Sequence, residues 1–143
     1  MDEKVFENSG FIIMKKIYVG CALTQAPEEF RNAIESFKLT LREEYEVLDF
    51  VDLSVQEVTF QHIFDWDTNC VKTCDLFIAD CTYPAIGLGY ELGVALESKK
   101  KVLAIAEEDA KISRLVLGVT SPKFEFMRYK DIKEIIPKIK ELL

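Results

Sequence analysis

Residues 75–95 read DLFIADCTYPAIGLGYELGVA and decide the fold of this chain. A short apolar strand at 76–79 ends in a polar loop with Pro84, and two glycines, Gly87 and Gly89, lead into a helix that carries Glu91 in its first turns. In an open parallel sheet, ligands bind beyond the carboxyl ends of the strands, where loops meet helix N-termini. The stretch therefore predicts a binding site, in which Glu91 either interacts with the helix dipole or takes part in chemistry.

Strands and helices alternate on both sides of this stretch. The apolar patterns predict strands at 17–20, 45–50, 102–106 and 124–127, and helices at 27–42, 60–73, 87–98 and from 132 to the end. The alternation predicts an α/β fold, a flavodoxin- or Rossmann-like three-layer sandwich with a five-stranded parallel sheet and helices on both faces. The strand order 2-1-3-4-5 would place the loops after the first and third strands side by side.

The buried stripe of the helix at 60–73 is predicted from helical spacing. It comprises Ile63, Trp66, Cys70 and Val71.

Length and charge limit the classes of protein. The 143 residues suit one domain, which we assign to residues 14–143, with residues 1–13 as an N-terminal extension that is free to be disordered. The net charge of −7 argues against binding of nucleic acid or an anionic membrane. The early apolar run at 11–14 is too short for a membrane span and follows acids, so a cytoplasmic protein is predicted.

The cysteines and the single histidine do not form a metal-site pattern. Cys21, Cys70, Cys74 and Cys81 lack paired zinc-like spacings, and His62 is the only histidine. The sequence therefore predicts free thiols, no metal site and no cofactor.

Five polar residues are candidates for chemistry near the predicted cleft. Asp75 opens a strand at the far end, where it would cap or pair, whereas Asp80 ends the same strand facing the cleft and could be structural or functional. Asp67 lies on the second helix, off the apolar stripe, as a solvated acid or a site residue. Tyr18 lies on the first strand, where a buried hydroxyl must find a partner, and it joins Glu91 as a candidate.

The segment YPAIGLGYELG at residues 83–93 is the most specific motif of the chain. Features of the same pattern accompany it elsewhere: Ile17 and Tyr18, Asp67 upstream of Asp75, Ser113 and Gly118. With these residues, the sequence resembles the nucleoside 2-deoxyribosyltransferase family over roughly residues 16–127. The likeness is closer to its hydrolytic branch, the 2'-deoxynucleoside 5'-monophosphate N-glycosidases.

The resemblance implies a role for three residues. In that family the glutamate of the Gly-Tyr-Glu-Leu-Gly segment attacks C1' of the deoxyribose, which implies a nucleophilic Glu91. The tyrosine of the first strand orients this carboxylate, which implies Tyr18, and an aspartate of the second helix contacts the substrate and assists departure of the base, which implies Asp67. The implied reaction is hydrolysis of 2'-deoxynucleoside 5'-monophosphates to base and deoxyribose 5-phosphate through a covalent glycosyl-Glu91 intermediate.

The resemblance also implies substrate-binding residues and a dimer. The implied set is Gly20, Cys21, Ala22, Leu23, Ala85, Gly87, Gly89, and Ser113 from the neighbouring subunit. The site would thus be completed across the interface of a homodimer. The implied partner is a small-molecule deoxynucleotide or deoxynucleoside, with no nucleic acid and no membrane.

Two positions depart from the family pattern. Phosphate-using members carry an arginine where this chain has Leu23 and a serine where it has Ala85, and transferases carry an aspartate at the latter place. Pro84 and Tyr90 follow the hydrolytic branch and favour the hydrolase. Two alternatives stay open: a nucleoside 2-deoxyribosyltransferase that exchanges bases on deoxynucleosides, and a non-catalytic nucleotide-binding module.

Overall fold

The computed structural model describes residues 4–6 and 12–143. The strands are β1 (Lys4–Phe6), β2 (Ile12–Met14), β3 (Lys16–Cys21), β4 (Glu46–Leu48), β5 (Leu76–Asp80), β6 (Val102–Glu107) and β7 (Phe124–Tyr129). The helices are α1 (Glu28–Leu41), α2 (Phe60–Thr73), α3 (Ile86–Glu97), α4 (Arg114–Leu117) and α5 (Ile136–Leu142), with a 3-10 turn at Ile132–Ile135 before α5.

Five parallel strands form the main sheet, in the order β4-β3-β5-β6-β7. Numbered along the chain, these five strands have the order 2-1-3-4-5, so the predicted order is confirmed. The register sets Tyr18 beside Phe77 and Cys21 beside Asp80. The loops after β3 and β5 therefore begin next to each other, at the switch point where such sheets bind ligands.

Helices cover both faces of this sheet. Ile17 and Val19 of β3 belong to one core cluster with the apolar faces of α1 and α5. Tyr18 and Phe77 belong to a second cluster with residues of α2 and α3. Since both rows of strand side chains are buried, as parallel sheets require, the predicted three-layer α/β sandwich is confirmed.

The N-termini of α1 and α3 differ in the residues that precede and open them. Pro27 is the N-cap of α1, and Glu28 and Glu29 occupy its first turn, where the helix dipole favours acids. Ala85 is the N-cap of α3 and provides no side-chain hydrogen bond. The first N–H groups of α3 thus lack a side-chain cap, at the end of the helix that faces the switch point.

The residues before the main sheet add a small second sheet. β1 pairs antiparallel with β2, with Val5 opposite Ile13. The predicted extension at residues 1–13 is therefore in strands at 4–6 and 12–13, and its remaining residues lie outside the described part of the chain. The division of the chain at residue 14 stays a prediction.

Two details of the helices differ from the sequence patterns. The prediction that Trp66 belongs to the buried stripe of α2 is wrong, since Trp66 is 49% exposed. Its indole Nε1 donates a hydrogen bond to the Asp49 carbonyl oxygen at 2.7 Å, which holds the ring at the surface. The last helix opens with a 3-10 turn, in which Asp131 and Glu134 form a capping box. Within residues 4–6 and 12–143, every helix lacks the length and apolarity needed to cross a membrane.

Candidate active site

A cleft of about 570 Å³ opens at the switch point. Its floor and one wall come from β3, the loop after it and the start of α3, and its other wall comes from α2 and the loop after β4. The structure brings together eight of the residues predicted from the sequence: Tyr18, Gly20, Cys21, Leu23, Asp67, Ala85, Gly87 and Glu91. The volume lies within the range of small-molecule sites.

Gly20 allows Glu91 to approach the strand. A Cβ at Gly20 would lie 2.9 Å from Cε1 and 3.1 Å from Cζ of Phe77, and 3.2 Å from Oε1 of Glu91. The Phe77 ring is fully buried and cannot move aside easily. A side chain at residue 20 would therefore displace the carboxylate of Glu91.

Glu91 is held by Tyr18. The Tyr18 hydroxyl donates a hydrogen bond to Oε2 of Glu91 at 2.7 Å, and the Tyr18 ring stacks on Phe77 with 5.6 Å between centroids. Burial, and then the charge of Glu91, raise the pKa of Tyr18 well above its ordinary value, so this hydroxyl keeps its proton and remains the donor.

The surroundings of Glu91 disfavour its charge. Burial raises the pKa of Glu91 to about 7, the nearby Asp67 carboxylate adds to the increase, and the hydrogen bond from Tyr18 opposes it. A buried carboxylate that titrates near neutral pH, with one fixed donor and few competing partners, is suited to act as a nucleophile or a base.

Asp67 faces the same cleft from α2. Its Oδ1 accepts a hydrogen bond from the Val51 backbone N–H at 3.0 Å, and within the described residues its Oδ2 accepts none. Burial raises the pKa of Asp67, while the Val51 hydrogen bond and the nearby His62 lower it. The cleft thus presents two carboxylates in different environments, an arrangement that separates acid from base roles.

Aromatic and aliphatic side chains form the mouth of the cleft, and the sequence analysis did not select them. Phe64 and Tyr90 lie 5.7 Å apart between ring centroids, and Phe50 and Leu53 come from the loop after β4. Phe64 precedes Asp67 by one helical turn and Tyr90 is adjacent to Glu91, so proximity to the candidate acids was the available signal. Flat apolar walls of this kind suit the stacking of a planar ring.

Three predicted substrate-binding residues lie outside this cleft. Ala22 is fully buried behind it. Gly89 and Ser113 line a separate apolar groove of about 340 Å³ on the other side of α3. Ser113 is the N-cap of α4, where its hydroxyl accepts a hydrogen bond from the Leu115 N–H (3.2 Å). Ser113 is thus not part of the cleft within one chain, and its contribution to a partner's site stays a prediction.

The two other candidate aspartates have structural partners. Asp80 is fully buried and accepts hydrogen bonds from the Tyr129 hydroxyl (2.6 Å) and from the hydroxyl and N–H of Thr82 (2.6 and 3.0 Å), which tie the ends of β5 and β7 together. Asp75 accepts a hydrogen bond from the Lys16 N–H (2.7 Å) at the opposite end of the strands, as expected for a pairing residue.

Comparisons with curated proteins identify relatives over part of the chain. A protein of Thermofilum pendens named "Putative 2'-deoxynucleoside 5'-phosphate N-hydrolase 1" is 30% identical over 88 residues, which are 60% of this chain and 62% of that protein. The "5-hydroxymethyl-dUMP N-hydrolase" of Tetraodon nigroviridis is 36% identical over 58 residues, 39% of this chain and 41% of that one. The chain spans less than two thirds of the length of these relatives. No protein-family model matches the chain.

Solved structures share the fold over nearly the whole chain. The CMP N-glycosidase of Clostridium botulinum has a TM-score of 0.70 and 26% identity, and the alignment covers 90% of this chain and all of that one. A 2-deoxyribosyltransferase of Leishmania mexicana has a TM-score of 0.62, with coverage of 89% and 97%, and its 14% identity shows the fold alone. The resemblance predicted from the motifs is therefore confirmed: the chain is a relative of proteins named as nucleotide N-hydrolases and shares the fold of a CMP N-glycosidase and a 2-deoxyribosyltransferase.

Proposed function

We propose that the protein is an enzyme that hydrolyses the N-glycosidic bond of nucleoside 5'-monophosphates, with 2'-deoxynucleotides as its main substrates. The observation that carries the proposal is the geometry of Glu91, a half-buried carboxylate in a nucleotide-sized cleft, held by the Tyr18 hydroxyl at 2.7 Å. The names of the relatives support the same bond type.

In the proposed reaction, an ionised Glu91 oxygen attacks C1' of the sugar. The bond between C1' and the base nitrogen breaks, its electron pair leaves with the base, and the base takes up a proton. Water then attacks C1' of the glycosyl-Glu91 ester and gives its proton to the surroundings, which regenerates the carboxylate and releases the sugar 5-phosphate. In both steps Tyr18 orients Glu91, through the hydrogen bond that its hydroxyl donates to Oε2 of Glu91.

Asp67 takes the second role in this proposal. Its carboxylate faces the same cleft as Glu91, so it can pass a proton from a bound water to the departing base. Its Oδ2 has no partner among the described residues and is available to the substrate. The aromatic wall of Phe64 and Tyr90 would stack the base.

The 5'-phosphate would be bound mainly by neutral groups. No lysine or arginine lines the cleft within the described part of the chain, where the polar candidates are Thr24, Gln25 and the uncapped first turn of α3. Without a charge-assisted contact, which is worth about 1.5–3 kcal/mol, we expect only modest preference for monophosphates over nucleosides. In a homodimer, the partner subunit's Ser113 would complete this end of the site.

Base release measured by chromatography tests the proposal. The panel comprises the deoxynucleotides, CMP and the matching free nucleosides, each incubated with and without a second free base. The proposal expects free base and sugar phosphate from at least one monophosphate. Formation of an exchanged nucleoside faster than hydrolysis would instead establish a transferase, and binding of nucleotides with no base release at high enzyme concentration would contradict an enzymatic role.

A further inference from the structure

A lysine lies buried beside the candidate active site. Lys38, on α1, is 1% exposed, although burial of a charged side chain costs free energy unless it is paired. Its Nζ lies 3.0 Å from Oε2 of Glu35 and 3.1 Å from Oδ1 of Asp49, and 4.6 Å from the centroid of the Phe50 ring. Two of these three contacts fall on neighbouring residues of the loop after β4.

The same loop residues hold a catalytic candidate. The 49–51 segment consists of Asp49, Phe50 and Val51 and lies between α1 and α2 in space. At its α1 side, Asp49 pairs with Lys38; at its α2 side, Val51 donates its N–H to Oδ1 of Asp67 at 3.0 Å. Phe50, between them, forms part of the cleft wall. One short stretch of backbone therefore connects Lys38 to Asp67.

Further contacts make this stretch stiff. Nη2 of Arg42, the residue that caps the C-terminal end of α1, lies 2.6 Å from Oδ1 of Asp49, and the Trp66 indole of α2 donates to the Asp49 carbonyl oxygen at 2.7 Å. The Lys38 side chain is almost wholly shielded from solvent, whereas the side chains of Arg42 and Asp49 are 33% and 58% exposed. Screening by water and salt weakens the exposed pair more than the buried lysine.

We propose that Lys38 is a positioning residue for Asp67, acting through the 49–51 segment that carries both the cleft wall at Phe50 and the amide that holds the Asp67 carboxylate. The inference rests on the proposed function, in which Asp67 contacts the substrate. Lys38 does not line the cleft, and we expect its effect on turnover to pass through the segment that it holds.

The test compares Lys38→Met with wild type in base release from the fastest monophosphate substrate. We expect kcat/KM to fall about tenfold, mostly through kcat, because small displacements of a catalytic group are costly. Lys38→Arg should recover most of the rate. Thermal unfolding should change little, because the two carboxylates that lose the lysine, Glu35 and Asp49, are more than half exposed and stay solvated. Lys140→Met, at an exposed lysine that pairs with Glu44, is the matched control and should keep full activity.

A double-mutant cycle separates positioning from general damage. In an Asp67→Asn background, Lys38→Met should reduce the remaining rate less than about twofold, since residues that act through one another are not additive. An equal loss in both backgrounds, or no loss in either, would overturn the proposal. Asp49→Asn provides a second variant with the same expected pattern if Lys38→Met folds poorly.

Hydrogen exchange at the Val51 amide tests the positioning without using activity. We expect this amide to exchange faster in Lys38→Met than in wild type, while amides of the β5 strand stay unchanged. If wild type releases no base from any nucleotide, the proposed function fails, yet this measurement still decides whether Lys38 holds the segment. An unchanged exchange rate at Val51 would contradict the role of Lys38.

Discussion

Glu91 combines a cost to the stability of the fold with the chemical role that we propose for it. Its partial burial, and then the nearby Asp67 carboxylate, raise its pKa to about 7 against the opposing hydrogen bond from Tyr18, which makes its ionised form unfavourable in the folded chain. The unfolded chain carries the same group at its ordinary pKa of 4.5. The folded state therefore retains a proton between about pH 4.5 and 7 that the unfolded state has lost, and stability from this group falls as the pH rises through that window.

Replacement of Glu91 by glutamine should stabilise the protein in alkaline solution. Glutamine keeps an oxygen that accepts from Tyr18 but cannot ionise, so the cost of the buried charge disappears. We expect Glu91→Gln to raise the free energy of unfolding by about 2–3 kcal/mol at pH 8 and by little at pH 5, measured by denaturant unfolding at both values.

Glu97, near the exposed end of the same helix, provides the control. Glu97→Gln should change stability by the same small amount at both pH values, because its side chain is exposed. A Glu91→Gln variant that is no more stable than wild type at pH 8 would show that the carboxylate is not desolvated as described.

For single residues, the sequence was enough to select the candidate acids Glu91 and Asp67 but not to predict their environments. Glu91 could be selected because it lies in the YPAIGLGYELG motif, whereas Asp67 and Tyr18 were selected from their places on the second helix and the first strand and from the family resemblance. The need for a glycine at residue 20 could not be predicted, since the ring of Phe77 and the carboxylate of Glu91, which would contact a Cβ there, come from other elements. The meeting of Phe50, Phe64 and Tyr90 at the cleft could not be predicted either, because tertiary packing sets their proximity.

Helix α3 is the element on which the site depends. Its N-terminus points at the switch point, its second residue, Gly87, lines the cleft, and Glu91 follows one turn later. A Cβ at Gly87 would meet no atom of another element within 4 Å, so packing in the protein does not require glycine there. Space reserved for a ligand is the explanation that fits a glycine in the first turn of a helix beside a cleft.

Gly87→Ala should trade binding for stability. Alanine has the higher helix propensity, so we expect the free energy of unfolding to rise by about 0.5–1 kcal/mol. The added methyl group should raise KM several-fold, because it enters the substrate space. Gly93→Ala, on the same helix but outside the cleft and also free of close contacts, should show the stabilisation with unchanged KM. Equal kinetics for the two variants would argue against substrate contact at residue 87.

The regular elements were largely predictable, whereas their irregular neighbours were not. Alternating apolar patterns predicted the five parallel strands and the helices around them, since each pattern is local. The conformation of the chain at Asp49 depends on Lys38, Arg42 and Trp66, which reach it from α1, its C-terminal end and α2. For that reason the exposure of Trp66 and the position of the Phe50 wall did not follow from helical spacing.

At the scale of the whole molecule, the sheet order explains the place of the cleft. In the proposed dimer, a second chain would complete it. Exposed apolar side chains surround Ser113: Leu115 is 84% and Leu117 50% exposed on the short helix α4. Burial of such side chains against another copy would be favourable, since each contributes on the order of 1–2 kcal/mol. Most soluble oligomers are twofold dimers, in which the same surface is used twice.

Leu115→Glu should separate the proposed dimer. A charge at this exposed position would not disturb the core, so the variant should fold. Its molar mass by light scattering should be that of a monomer, and it should lose most of its base-release activity. Leu39→Glu, which alters a 65% exposed leucine on α1, should remain dimeric and active. A wild-type monomer, or a monomeric Leu115→Glu that keeps full activity per chain, would contradict a site shared between subunits.

The most direct test of the central claim is base release by wild type and Glu91→Gln, measured side by side at pH 8 on one monophosphate substrate. At this pH most of the Glu91 carboxylate is ionised in the wild type, since its pKa is about 7. We predict steady release by wild type and a rate at least about a thousandfold lower in the folded variant, as expected for loss of a nucleophile. Equal rates in the two proteins would contradict the assignment of Glu91 as the group that attacks the sugar.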